Sequence, residues 1–220
     1  MQIILLGKPG AGKGTQAERL AQEAQVAHIA TGDMFRAAVR DGTELGKLAQ
    51  SYMERGALVP DDVTIGLMRE RLAQEDAGKG FVLDGFPRNE PQAQALQGLL
   101  QELGRPIQAA VELEVPDEEI LRRITGRRVC PQCGATYHVE FQPPKVPGIC
   151  DRCGHELTQR EDEKEETVRK RLEVYRQHAT ELARFYEARG VYHRLSGLGS
   201  EEEVLVRIRH LLQTLGVWAQ

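Results

Sequence analysis

Nine residues near the start of the chain, Gly7-Lys8-Pro9-Gly10-Ala11-Gly12-Lys13-Gly14-Thr15, constrain it more than any other stretch. They follow an apolar run, Gln2–Leu6, that reads as a strand, and they lead into a helical pattern over Thr15–Ala24. Glycines let successive backbone N–H groups turn toward one point. The helix that follows directs the positive end of its dipole there, and Lys13 reaches the same place with a cation. Strand, glycine-rich loop and helix in that order form a cradle for phosphate groups. The usual form of this motif places Ser or Thr directly after the Lys to hold Mg²⁺. Here that position is Gly14, and Thr15 comes next.

The rest of the chain alternates short apolar runs with longer helical stretches. Strands are expected at Ala27–Ala30, Phe81–Asp84, Ala109–Glu114 and Val191–Leu195. Helices are expected near Met34–Arg40, Leu45–Arg55, Asp61–Gln74, Pro91–Leu103, Asp117–Thr125, Glu165–Ala188 and Glu201–Leu215. That order predicts an α/β fold, a five-stranded parallel sheet covered by helices on both faces, with ligands at the carboxyl ends of its strands. With 220 residues, the chain suits a single domain, 1–220, carrying one small insertion. The insertion is marked at 126–163, where helical periodicity stops and four cysteines appear among Gly and Pro. A formal charge of −4 argues against nucleic-acid binding by bulk charge. No apolar run approaches the ~20 residues of a membrane span, and the opening residues are too short and neutral for a signal peptide. A cytoplasmic monomer without membrane or nucleic-acid partners is expected.

Two further segments end in groups suited to phosphate and base. In Thr31-Gly32-Asp33-Met34-Phe35-Arg36, Thr31 can cap the following helix and offer its hydroxyl to a base, and Arg36 lies about one turn further on, placed to pair with a phosphate. In Phe81-Val82-Leu83-Asp84-Gly85-Phe86-Pro87-Arg88, Asp84 ends a strand where it can orient Mg²⁺-bound water. Arg88 can clamp a phosphate, and Gln92 offers a donor and an acceptor to a base edge. Arg171 falls on the edge of the apolar stripe formed by Val168, Leu172, Tyr175, Ala179, Leu182 and Tyr186, so it needs an anion beside it. A nucleotide phosphate or a carboxylate of the protein would each serve. Cys130-x₂-Cys133 and Cys150-x₂-Cys153, 16 residues apart, have the spacing of two turns that close a tetrahedron of thiolates around Zn²⁺.

With Gly14 in place of the usual Ser or Thr, the chain resembles the nucleoside monophosphate kinases. Along its full length it resembles the adenylate kinase family, in the long bacterial form with a zinc-bearing lid. The resemblance implies a P-loop nucleoside monophosphate kinase fold. It also implies reversible transfer of the terminal phosphoryl group of ATP to AMP, with Mg²⁺ bound to the ATP and a structural Zn²⁺. It further implies a donor site at Gly10, Ala11, Gly12, Lys13, Gly14, Thr15, Arg127, Thr136, Tyr137 and Gly199. The acceptor site would be Thr31, Arg36, Ala57, Leu58, Val59, Gly85, Phe86, Pro87, Arg88, Gln92, Arg160 and Arg171, with 30–59 as an AMP-binding subdomain. Lys13, Asp84, Arg88, Arg127, Arg160 and Arg171 would carry the transfer. Arg123 and Arg128 lie nearby but read better as solvated charge. In the late loop Ser196-Gly197-Leu198-Gly199, many relatives carry Gln at the last position, so a donor-adenine contact here would come from the Gly199 backbone. Two other readings stand beside this one: a kinase of UMP, CMP or GMP, or one taking GTP as donor; and a zinc-ribbon nucleic-acid binder, which Glu140, Asp151 and Glu156 in the ribbon argue against.

Overall fold

The computed structural model describes residues 1–218. Its elements in chain order are β1 (Gln2–Gly7), α1 (Lys13–Ala24), β2 (Ala27–Ala30), α2 (Thr31–Arg40), α3 (Glu44–Met53), α4 (Asp61–Leu72), β3 (Phe81–Asp84), α5 (Glu90–Glu102), β4 (Ala109–Glu114), α6 (Asp117–Thr125), β5 (Arg127–Val129), β6 (Thr136–His138), α7 (Glu165–Glu187), β7 (Tyr192–Ser196) and α8 (Glu201–Thr214). Five strands form one parallel sheet in the order β2-β3-β1-β4-β7.

Strand β1 lies at the centre of that sheet, with Ile3, Ile4 and Leu5 at most 1% exposed. Successive side chains of a strand point to opposite faces, and both faces are covered. Ile3 and Leu5 join Ala17 and Leu20 of α1, Ile120 and Ile124 of α6, and Val204, Leu205 and Ile208 of α8. Ile4 and Leu6 join Met68 and Leu72 of α4, Leu96 and Leu100 of α5, and Leu182 and Phe185 of α7. A parallel sheet with no wet face needs near-continuous apolar strands, which is why these runs were legible. Helix α7 takes part in both layers: Val168 and Leu172 near its start pack in the first, Leu182 and Tyr186 near its end in the second.

Two helices start two or three residues earlier than the periodicity suggested. α1 begins at Lys13 rather than Thr15, and α2 at Thr31 rather than Met34. In both places a glycine in the first turn, Gly14 or Gly32, hides the helix from a propensity reading.

Two smaller units depart from the sheet. α2 and α3 pack so closely that a Cβ at Gly46 would lie 2.1 Å from the Ala38 carbonyl oxygen. Phe35, Ala49 and Val59 form a core of their own there. Between α6 and α7, β5 and β6 pair antiparallel as a separate two-stranded sheet. Cys130, Ala135, Tyr137, Cys150 and Leu157 form the apolar centre of that segment. Among the described residues no helix is long and apolar enough to cross a membrane.

Candidate active site at the carboxyl ends of the strands

The loop after β1 bends through three glycines with positive φ: Gly7 at 135°, Gly10 at 79° and Gly12 at 93°. At Gly10 the space is also closed, since a Cβ would meet Ile124 Cγ1 at 2.5 Å. At Gly12 nothing lies within 4 Å, so the backbone there faces open space. Helix α1 then starts with no side-chain cap and no acidic residue in its first turn. Among the described helices longer than a single 3₁₀ turn, each of the others has an acid in the first turn. The positive end of α1 is thus left for an anion from outside the protein.

Lys13 folds back over this loop, donating from Nζ to the carbonyl oxygens of Gly7 and Lys8, both at 2.8 Å. Desolvation lowers its pKa from 10.5 to about 8; Asp84 opposes the shift, while Arg88, Arg171 and Arg127 add to it. Lys8 braces the same turn from outside, through Val115 O at 2.9 Å and Asp117 Oδ1 at 2.6 Å. Gly14 has a steric reason: a Cβ there would stand 3.2 Å from Asp84 Oδ2. Asp84 ends β3, adjacent to Leu5 of β1 in the sheet. Among the described residues no protein group donates a hydrogen bond to its carboxylate, so its oxygens fit a cation or cation-bound water.

Arg88 follows in the turn after β3, donating from Nε to Gly85 O at 2.7 Å. Its guanidinium is open to solvent in a concave site. Desolvation and the neighbouring Arg171 bring its pKa to about 10, so it stays charged at neutral pH. Gly85 is favoured by its conformation (φ 73°), and a Cβ there would also stand 3.1 Å from Arg88 Nη2, which would have to give way. Three more arginines complete the site. Arg127, at the start of β5, pairs with Glu163 at 3.0 Å. Arg160 reaches the same Glu163 oxygen at 3.6 Å. Arg171 of α7 pairs with Asp162 Oδ2 at 3.0 Å. Desolvation lowers Arg160 and Arg171 as well, and in both cases Arg36 and Arg127 push the same way. Arg36, on α2, is held at 2.5 Å by Asp33. Six cations from separate parts of the chain therefore share one field, tempered by Asp33, Asp84, Asp162 and Glu163. Such a site attracts a polyanion although the chain as a whole is negative.

One sequence expectation needs correction, and the other expected site residues take the following places. Thr31 does not cap α2; Ala30 occupies that position, and the Thr31 hydroxyl donates to Gly85 O at 2.9 Å, tying α2 to the turn after β3. Gln92 is 1% exposed with both ends of its amide engaged: Oε1 accepts from Arg88 N at 2.8 Å and Nε2 donates to Asp61 Oδ1 at 2.8 Å. The side chains of Phe86 and Val59 are core, leaving only their backbone to a ligand. Ala57 and Leu58 are half-buried beside Val59, and Pro87 is buried next to Phe86. Tyr137 belongs to the cysteine cluster, its hydroxyl accepting from Asp151 N at 2.9 Å, while Thr136 beside it is exposed. Gly199 has a φ of 103°, a conformation that favours glycine, and a Cβ there would have to displace the Glu203 carboxylate, 2.6 Å away. Arg123 pairs with Glu119 and Arg128 with backbone carbonyls.

Sequence reading missed Asp162 and Glu163. In Arg160-Glu161-Asp162-Glu163 they look like solvated charge, yet Glu163 is 1% exposed and its Oε2 is buried without a partner. Arg160, two residues before Asp162 and three before Glu163, was the available signal.

The four cysteines converge. Their sulfurs all lie within 4.8 Å of one another, and none is in a disulfide. Cys130 and Cys153 approach to 3.3 Å, Cys133 and Cys150 to 3.5 Å. Thiolates around tetrahedral zinc at ~2.3 Å stand about 3.8 Å apart, so the donor set and its spacing fit that ion.

The adenylate kinase family model matches residues 5–191. Over 213 residues the chain is 51% identical to the adenylate kinase of Thermodesulfovibrio yellowstonii, covering 97% of this chain and 99% of that protein. It is likewise 51% identical to that of Carboxydothermus hydrogenoformans, covering 97% of this chain and all of that protein. With the adenylate kinase of Staphylococcus aureus it shares 50% identity over 215 residues, 98% of this chain and 100% of that protein.

Proposed function

Since the chain belongs to the adenylate kinase family, we propose the following roles for its cleft in the transfer of the terminal phosphoryl group of ATP to AMP, giving two ADP. The observation that carries the assignment is that Arg88, Arg127 and Arg171 act on Lys13 at the uncapped start of α1, while Arg36 and Arg160 share the field of those arginines. In-line phosphoryl transfer asks a protein for positioning and charge neutralisation rather than for a nucleophile. Lys13 and the N–H groups from Gly10 to Thr15 hold the donor phosphates. Exchanging the carbonyls of Gly7 and Lys8 for phosphate oxygens moves the Lys13 ammonium onto the transferring group. Arg36 and Arg88 hold the acceptor phosphate. Arg127, Arg160 and Arg171 spread the charge that develops between donor and acceptor, releasing Glu163 and Asp162 as they do so.

Mg²⁺ bound with ATP would supply charge neutralisation at the donor phosphates, and Asp84 would hold it through water. Zn²⁺ would be held by Cys130, Cys133, Cys150 and Cys153 and would have a structural role, since four thiolates leave no open coordination position. Residues 126–163 act as a lid and 30–59 as the acceptor-binding subdomain. Closing both excludes water, without which ATP would hydrolyse. The test is a panel of acceptors and donors under Mg²⁺. ADP formation with ATP should be fastest from AMP, with UMP, CMP and GMP slower by orders of magnitude and GTP a poorer donor. Equal or better turnover with another monophosphate would contradict the assignment.

A further inference from the structure

Asp61 opens α4 and lies outside the roles assigned above. Its Oδ1 accepts two hydrogen bonds, from Asn89 Nδ2 at 2.9 Å and from Gln92 Nε2 at 2.8 Å. The other end of the Gln92 amide, Oε1, accepts from the Arg88 backbone N–H at 2.8 Å. A carboxylate only accepts and a backbone N–H only donates, so the amide has one orientation: nitrogen to Asp61, oxygen to Arg88. Asn89 secures the same corner, since its side-chain oxygen caps α5 by accepting from Gln92 N at 2.9 Å. With one bond made at each end, the amide keeps one N–H and one oxygen lone pair unspent in a residue 1% exposed.

Those two remaining valences have a fixed order. A 6-aminopurine presents an acceptor at N1 beside a donor at N6. A 6-oxopurine presents a donor at N1–H beside an acceptor at O6, the reverse pattern in almost the same shape. We infer that Asp61 is a specificity-determining positioning residue: by holding the Gln92 amide in one orientation, it makes the acceptor site accept a 6-aminopurine and reject a 6-oxopurine. The inference rests on Gln92 meeting the acceptor base, as the family resemblance implies. A 6-oxopurine would face donor with donor and acceptor with acceptor, and mismatched buried polar groups discriminate far more strongly than a change in size.

Inosine monophosphate is the probe, because it differs from AMP only at this edge. The experiment measures kcat/KM for AMP and for inosine monophosphate at saturating Mg²⁺ and ATP, with thermal melting, for wild type, Asp61→Ala, Asp61→Asn and Gln92→Leu. In Asp61→Ala only Arg88 N still holds the amide, and the AMP preference should fall by about tenfold or more, with KM for ATP unchanged. Asp61→Asn keeps an oxygen at the same place but can also present an N–H, so its preference should fall less, by about threefold. A purely structural Asp61 would lower both substrates in proportion. An unchanged ratio in whichever variants fold overturns the inference. Gln92→Leu separates the two readings: if KM for AMP does not rise, Gln92 does not meet the base and both fail. If KM rises while the Asp61 variants keep the wild-type ratio, only the role of Asp61 fails.

Discussion

Gly14 stands where the common phosphate loop carries a hydroxyl, and the side chain it lacks is the room that Asp84 occupies. Gly14→Ala therefore tests the pair without threatening the fold, because Ala favours the first turn of a helix over Gly. The variant should melt no lower than wild type, while the Mg²⁺ concentration for half-maximal activity rises by about tenfold as the Asp84 carboxylate is pushed aside. An unchanged Mg²⁺ dependence would mean that Asp84 has no part in holding the ion. Lys13 gives the pH dependence. Its pKa in the free protein is lowered to about 8, chiefly by desolvation. The cation that binds phosphate is thus lost as pH rises through about 8, and kcat/KM for ATP should fall there with the slope of one proton. The stability relation has the opposite sign: the charged form is disfavoured in the folded chain, so that cost is full below about 8 and relieved as pH rises toward 10.5. A flat kcat/KM profile from pH 7 to 9.5 would contradict the desolvated state of Lys13.

The elements were more legible in the sequence than the contacts between their side chains. Strands such as Phe81–Asp84 lie between two apolar layers and advertise it as an unbroken apolar run, so the sheet and the place of its ligand end could be read directly. The phosphate loop was equally readable, because its residues are adjacent and its function is mainly backbone. The partners of Gln92 and Arg127 were not. Asp61 lies 31 residues from Gln92 and Glu163 lies 36 from Arg127, and neither helical nor strand periodicity carries information over that span. Thr31 misled for a local reason: a Thr before a helix usually caps it, but here the nearby Gly85 carbonyl takes its hydroxyl.

The segment from 126 to 163 is the element least able to hold itself together. Its apolar centre is five residues, two of them cysteines, while Val139, Phe141 and Val146 are exposed. A metal bound only by the folded form stabilises it by mass action. The purified protein should carry one Zn²⁺ per chain, and Cys153→Ala or strong chelation should remove it and lower the melting midpoint. Turnover measured well below that midpoint should survive at least in part, since Lys13, Arg88 and Arg171 lie outside the segment. Metal analysis finding no zinc, with melting unmoved by chelator, would refute the site. A zinc-free protein whose segment is still folded yet which has no turnover would instead give the ion a catalytic role.

At the scale of the whole molecule the charges divide unevenly. The formal net charge is −4, yet six cations gather from the start of α1, from α2, the turn after β3, the segment flanked by α6 and α7, and α7 itself. That division suits an enzyme that must draw two phosphate-bearing nucleotides into one cleft, hold them apart from water and release them. The bracing of Lys8 by Asp117, with Arg176 of α7 on the other carboxylate oxygen, ties the phosphate loop to both helices that flank the cysteine-bearing segment. The most direct test of this account is the product balance of one reaction, followed by ³¹P NMR, of purified protein with equimolar ATP and AMP and excess Mg²⁺. The account predicts two ADP formed for each ATP and AMP consumed, approach to the same equilibrium from ADP alone, and no appreciable inorganic phosphate. Release of inorganic phosphate with AMP left unchanged would contradict it.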